Sequence, residues 1–232
     1  MSELPLIQLG TARLQLLPQR AAYLVDSQCL LVADMHLGKA HNFRRLGVPV
    51  PGGTTAATLA RLSQAVQQTQ ARQVVFLGDL LHAKGGANPQ TWQTVQDWRR
   101  AHAELELVLV RGNHDQQAGD PPADWQIRCV TEPLLLGGLA LRHHPQTVPG
   151  HYTLAGHLHP AVVLQGRRPG RIAVGRRSGP GPGRLRLPCF HFGTQLGVLP
   201  AFGEFTGMFV PPRLRGDRVF AIADDSVLEV PG

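Results

Sequence analysis

Cys29-Leu30-Leu31-Val32-Ala33-Asp34-Met35-His36 sets an unbroken apolar run against two side chains that bind metals or move protons. The run has no polar face, so a strand formed here must be covered on both sides. That is the situation of a strand inside a layered α/β sheet. Asp34 and His36 then fall just past its carboxyl end, where such folds collect their ligands. Downstream the pattern recurs. Residues 74–77 run into Gly78-Asp79, and residues 105–110 run through Arg111 into Gly112-Asn113-His114-Asp115. Between these strands, Thr54–Thr69 follows Pro51-Gly52-Gly53 as a helix with Thr54 as its expected cap. Residues 89–102 form a second helix, with Pro89 suited to its first turn. Strand and helix alternate, which predicts a layered α/β unit.

The second half reads differently. Leu134–Leu136, 139–142, Tyr152–Ala155, 161–164, 190–192, 197–199, 219–223 and 227–230 are short strand candidates split by Gly and Pro, with almost no helical period. The simplest assembly is an α/β fold of two facing mixed sheets with helices outside, αββα in layers, as one domain over residues 1–232. Internal repeats are absent. Residues 166–187 are rich in Gly, Arg and Pro and lack a hydrophobic face, so they are expected to be a flexible basic loop or ribbon.

At 232 residues with 43% hydrophobic content, the chain can bury a large core and is not of disordered type. Met1 to Gly10 shows no basic region leading into an apolar run, and no stretch is long enough to cross a membrane. Cys29, Cys129 and Cys189 are odd in number and far apart, which suits free thiols in a reducing cytoplasm. The expected location is cytoplasmic. Net charge +7 and a pI near 10.3 favour polyanionic partners. From 133 to 203 there is no Asp or Glu, while Arg142, Arg167, Arg168, Arg171, Arg176, Arg177, Arg184 and Arg186 all lie there. Such a one-signed tract is a candidate contact surface for a phosphate backbone.

Five clusters carry metal-type donors: Asp34-Met35-His36, Gly78-Asp79, Gly112-Asn113-His114-Asp115, His143-His144-Pro145 and Gly156-His157-Leu158-His159. Taken singly, each has a local explanation as a turn, a cap or a surface histidine. Each nevertheless follows a strand candidate, so five loops can converge on one point. Asp, Asn and His are the donors a dinuclear centre requires.

As an ordered set these motifs resemble the calcineurin-like metallophosphoesterases. The resemblance implies that Asp34, His36, Asp79 and His159 hold one divalent ion, and that Asp79, Asn113, His143 and His157 hold a second, with Asp79 as the bridge. His143 is preferred because the family's lone ligand histidine stands two positions before a proline; His144 is the alternative. Asp115 would cap or orient. Two ions about 3.5–4 Å apart could share a hydroxide for in-line attack on phosphorus, as the resemblance implies, and His114 would protonate the leaving oxygen as general acid. Manganese is the expected ion by resemblance, and a mixed nitrogen and oxygen donor set also accepts iron or zinc.

A longer resemblance runs through Leu31 to Ala40, Phe43-Arg44-Arg45, Gly47 to Thr55, Leu187-Pro188-Cys189-Phe190 and Leu199 to Gly207. It points to the bacterial DNA-ligase-associated metallophosphoesterases, a subfamily of DNA damage response endonucleases. DNA is then the implied substrate, and a DNA ligase and a helicase of a repair cluster are the implied partners. The stretch after Gly166 departs from that pattern. Lys39, Arg44 and Arg45 could grip phosphates, or form a solvated basic helix face. His82 resembles a histidine that steers the scissile strand in a double-strand-break repair nuclease; a packed or supporting role is the alternative. His41, His102, His151 and His191 are read as ordinary residues. Phe202 and Phe205 are read as core, with base stacking as the alternative. Two rival functions stay open: a small-molecule phosphodiesterase or nucleotidase on the same scaffold, and a non-catalytic binding module.

Overall fold

The computed structural model describes residues 4–82, 89–165 and 184–232. The described chain opens with an antiparallel meander of β1 (Leu6–Leu9), β2 (Ala12–Leu17) and β3 (Ala21–Leu24), which pairs antiparallel with β4 (Cys29–Ala33). From β4 onward the pairing turns parallel. β5 (Gln73–Leu77), β6 (Glu106–Val110) and β7 (Ile127–Val130) follow in spatial order and complete a seven-stranded mixed sheet. Parallel neighbours need long crossovers. These carry α1 (Lys39–Arg45) and α2 (Thr54–Thr69) before β5, and α3 (Pro89–Ala101) before β6; the short α4 (Asn113–Ala118) follows β6.

The second sheet is built from β8 (Leu134–Leu136), β9 (Leu139–Leu141), β10 (Tyr152–Ala155), β11 (Ala161–Gln165), β12 (Arg184–Phe192), β13 (Leu196–Val198), β14 (Arg218–Ala223) and β15 (Ser226–Val230). Its order is β15-β14-β12-β13-β10-β9-β8, with β11 paired to the first half of β12. β9, β10 and β13 are parallel to one another. The molecule is therefore mixed α/β, with two mixed sheets flanked by helices.

Alternation along the strands explains the layering. In β4 the side chains of Cys29, Leu31 and Ala33 join a core shared with Leu141, Leu154, Phe190 and Phe220 of the second sheet. Leu30 and Val32 point the other way, into a core with Leu59, Leu62 and Ala65 of α2 and Val95 of α3. Both faces are dry, which is why the run carries no polar residue. No helix among the described residues is long and apolar enough to cross a membrane.

Several details depart from the sequence reading. The strands β1–β3, β7 and the helix α4 are not among the elements it expects. Thr54 does not cap α2: Gly53 occupies the cap position at φ 77, no side-chain cap bond forms, and Thr54 is the first helical residue. Glycine takes this left-handed conformation without steric cost. Of the expected loop at 166–187, residues 166–183 lie outside the described residues, whereas 184–187 begin β12 and pair in register with β11.

Candidate metal centre

β4, β5 and β6 are parallel neighbours, so their carboxyl ends lie along one edge of the first sheet. β9 and β10 of the facing sheet deliver two further loops to that edge, joined by Gly156 N–H donating to the His143 carbonyl at 3.2 Å. The chain must turn sharply at each exit. Asp34, His36, Asp79, His157 and His159 all sit at positive φ, between 46° and 71°. Bulky residues adopt this conformation only when the surroundings dictate it, and such residues cluster at functional sites. Two glycines make room for the donors. A Cβ on Gly78, itself at φ +77, would stand 2.1 Å from His143 Nδ1, and one on Gly112 would stand 2.4 Å from Asp79 Oδ1.

The donors form two groups. In the first, His36 Nε2 lies 3.4 Å from His159 Nε2, and His159 Nε2 lies 3.7 Å from Asp34 Oδ1. In the second, His143 Nε2 is 2.9 Å from Asn113 Oδ1 and 3.0 Å from His157 Nδ1. Asp79 stands between them, with Oδ2 3.9 Å from His36 Nε2 and Oδ1 3.5 Å from His143 Nε2. The ring orientations are fixed from behind. His143 Nδ1 lies 3.1 Å from the Leu77 carbonyl and His159 Nδ1 lies 3.1 Å from the Gly207 carbonyl, so each can donate there and keep Nε2 as a lone-pair donor.

These residues fit divalent ions. Asp34 is fully buried; its Oδ2 accepts the His157 N–H at 2.8 Å, but its Oδ1 has no hydrogen-bond partner, and neither has buried His36 Nδ1. A buried carboxylate oxygen without a partner is costly unless a cation satisfies it. Burial, with Lys39 and the neighbouring imidazoles, pushes His36 down to about 2, so the ring is neutral as a ligand must be. Burial, helped by Asp34, pushes the Asp79 carboxyl up, the mark of an acidic pocket that a cation would relieve.

The other expected site residues separate. His114 Nδ1 lies 2.8 Å from the His82 carbonyl, and its Nε2 stands 3.9 Å from Asp79 Oδ2 on the open side of the donors. The His82 ring stacks on His114 at 5.2 Å, and burial with Lys39 and His114 nearby pushes it down to about 4. Asp115 lies behind the donors: its Oδ2 accepts the Gly112 N–H and its Oδ1 accepts those of Leu80 and Leu81, tying two donor loops together. His144 turns Nδ1 to Glu132 Oε1 at 3.0 Å, yet its ring stands 4.8 Å from that of His143 and 5.0 Å from that of His157, so it stays within reach of that group. Lys39 lines a recess with His36, Thr54, Thr55 and Phe205, whereas Arg44 is committed to the Pro51 carbonyl at 2.8 Å. The Arg45 side chain lies outside the described residues.

Phe202 is fully buried under the Arg61 guanidinium, but Phe205 is not core: it is 43% exposed, at φ 57, on the lip of the Lys39 recess. The turn that carries it follows a segment bridged to β4 at Ala201, which swings the ring outward. Within the basic tract, Arg142 is not available to a phosphate because it pairs with Glu132 at 3.0 Å. Arg184 and Arg186 are exposed, and the other five arginines lie outside the described residues.

Glu132 itself was missed by the sequence reading. Its Oε2 accepts the N–H groups of both His143 and His144, fixing the loop that presents His143. Burial opposes its ionisation, but Arg142 and the two histidines outweigh that and hold it at about 2. The one available signal is that it is the last carboxylate before the acid-free tract.

A family model described as calcineurin-like phosphoesterase matches residues 28–166. Among solved structures, a nuclease, MPE of Pseudomonas putida, is similar over 98% of this chain and 100% of its own, with 40% sequence identity and a TM-score of 0.82. Yfce, a phosphoesterase from E. coli, aligns over 87% of this chain and 97% of its own at 15% identity, with a TM-score of 0.40. No curated protein sequence matches.

Proposed function

The chain belongs to the calcineurin-like phosphoesterase family, and we propose that it is a dinuclear-metal-dependent phosphodiesterase that acts as a DNA endonuclease in repair. The observation that carries the chemistry is Asp79, one carboxylate presented to two donor groups at once. Likeness to a nuclease over nearly the whole chain supports nucleic acid as the substrate.

In this reading Asp34, His36, Asp79 and His159 would hold one ion, and Asp79, Asn113, His143 and His157 the other. Bound there, divalent ions, manganese in our proposal, supply Lewis acidity toward the phosphoryl oxygens and lower the pKa of water. The chain supplies the rest. With Nδ1 donating to the His82 carbonyl, protonated His114 keeps an Nε2–H directed to the open side, where it can give its proton to the leaving oxygen. The His82 ring supports that orientation by stacking, and Lys39 offers a cation to a non-bridging phosphate oxygen. Glu132 and Asp115 hold the donor loops in place. We further propose a single domain over residues 1–232, a cytoplasmic setting that suits its free thiols, and a DNA ligase and helicase as partners, the last by family resemblance.

The test is hydrolysis of supercoiled plasmid, single-stranded DNA and a chromogenic phosphodiester in manganese. DNA cleavage is expected from the wild type, and His114→Ala should lower it by about 10²–10⁴-fold. Turnover of the chromogenic ester with no cleavage of either DNA would contradict the nuclease assignment and move the substrate to a small molecule.

A further inference from the structure

The turn from Gly203 to Gly207 is clamped between two loops that carry the candidate ligands. At one end the Gly203 N–H donates to the Asp34 carbonyl at 3.0 Å. At the other, His159 Nδ1 lies 3.1 Å from the Gly207 carbonyl. Gly203 is pressed so closely to the donor loop that a Cβ on it would stand 2.3 Å from the Met35 carbonyl oxygen. Glu204 is held by the Arg61 guanidinium, which also binds the Phe202 carbonyl. Phe205 follows directly, so contacts with the centre itself fix where its ring stands.

That ring packs in neither hydrophobic core of the described residues and is 43% exposed. Its backbone is left-handed at φ 57, a conformation that costs a bulky residue about 1–3 kcal/mol and that glycine adopts freely. The fold therefore holds a large apolar face open to water at a strained position, next to the donors. The donor His36 and Lys39 line the same recess as Phe205. Its volume is about 10 Å³, room for a water or one phosphoryl oxygen. A larger group has to lie against the open face of the ring. An exposed aromatic face on a fixed turn, beside a cation and a phosphodiester centre, has the chemistry of a stacking platform.

We propose that Phe205 stacks on the nucleobase next to the scissile phosphate. The proposal rests on the phosphodiesterase reading above and deepens it. A phosphodiester over the donors carries a nucleoside on each side. The turn that holds Phe205 is bonded to the Asp34 and His159 loops, so the ring meets the nucleoside at that end of the centre. Lys39 faces the phosphate from the same recess. Stacking of this kind accepts any base, because every base has a π-face. It needs one face of the base to be free, which favours single-stranded or unpaired substrate over intact duplex.

The test uses manganese-loaded protein and the p-nitrophenyl esters of thymidine 3′- and 5′-monophosphate, with methyl p-nitrophenyl phosphate as the base-free reference. The readout is kcat/KM for the better nucleoside ester over that for the methyl ester. In Phe205→Ala this ratio should fall by about five- to hundred-fold. Phe205→Gly, which keeps the left-handed turn without strain and so removes misfolding as an explanation, should show the same fall. Phe205→Trp should restore the ratio. A ratio unchanged in the alanine and glycine variants, even where all rates drop together, would mark a purely structural role and overturn the proposal. Should the wild type hydrolyse none of the esters, the phosphodiesterase reading fails, and calorimetric titration with thymidylyl-thymidine decides on Phe205. Binding weakened in Phe205→Ala supports the stacking face; equal binding, or none in wild type, overturns it.

Discussion

Asp79 shows how much one side chain depends on its neighbours. Its two oxygens face different donor groups only because Gly78 puts the chain into a left-handed turn and Gly112 leaves space for Oδ1. Gly78→Ala is therefore expected to do more than strain the backbone, since the added methyl would meet the His143 ring at 2.1 Å. A non-glycine residue in such a conformation costs about 1–3 kcal/mol by itself, worth several degrees in Tm. Metal affinity should fall as well, because His143 must move. Calorimetry and a metal titration check both; an unchanged Tm with intact metal binding would show that the turn relaxes freely. The donors were legible in the sequence because each is a chemically distinctive residue next to an apolar run. Glu132 was not, since it acts across eleven residues through the backbone of His143.

At the level of elements, β4, β5 and β6 could be read directly: a strand buried on both faces has to be apolar throughout, and a following Asp, Asn or His then marks its carboxyl end. The meander β1–β3 was missed although Ala12-Arg13-Leu14-Gln15-Leu16 alternates strictly, the pattern of a strand with one buried face, and Ala12, Leu14 and Leu16 are indeed buried; only the order of the strands is settled by pairing. The segment between β13 and β14 forms no helix or strand of its own; bridges at Ala201 and Phe209 hold its first part, and Asp217 holds its end. Burial opposes ionisation of Asp217, but the bonds from Leu214 N–H and His191 outweigh it and set its value below the ordinary 3.8. The stabilisation is thus fully present above pH 3.8 and is lost as pH falls through the folded value. Urea midpoints measured from about pH 2.5 to 6 should show an acid-side decline that is shallower in Asp217→Asn, which is already less stable at pH 6. Parallel profiles for the two proteins would mean that the carboxylate contributes nothing to folding.

For the whole molecule, the basic charge and the donor centre make separate claims. Net charge +7 predicts that DNA binding weakens steeply with salt. Each phosphate neutralised contributes about −0.7 to −0.9 to the slope of log K against log salt, so affinity should drop by about tenfold or more between 50 and 200 mM. A flat salt dependence would leave the charge to solubility alone. The layering of two sheets was readable from the change in pattern midway along the chain, but how the second sheet brings His143, His157 and His159 to the edge of the first is a property of the assembled fold. The central claim is that five loops from two sheets build one centre for two divalent ions. It is tested most directly by measuring bound metal per chain after loading with manganese and removing the excess. The account predicts about two ions in wild type and in His114→Ala, and one or fewer in Asp79→Asn, which loses the carboxylate between the groups. Wild type that retains no metal, or Asp79→Asn that retains the full complement, would contradict it.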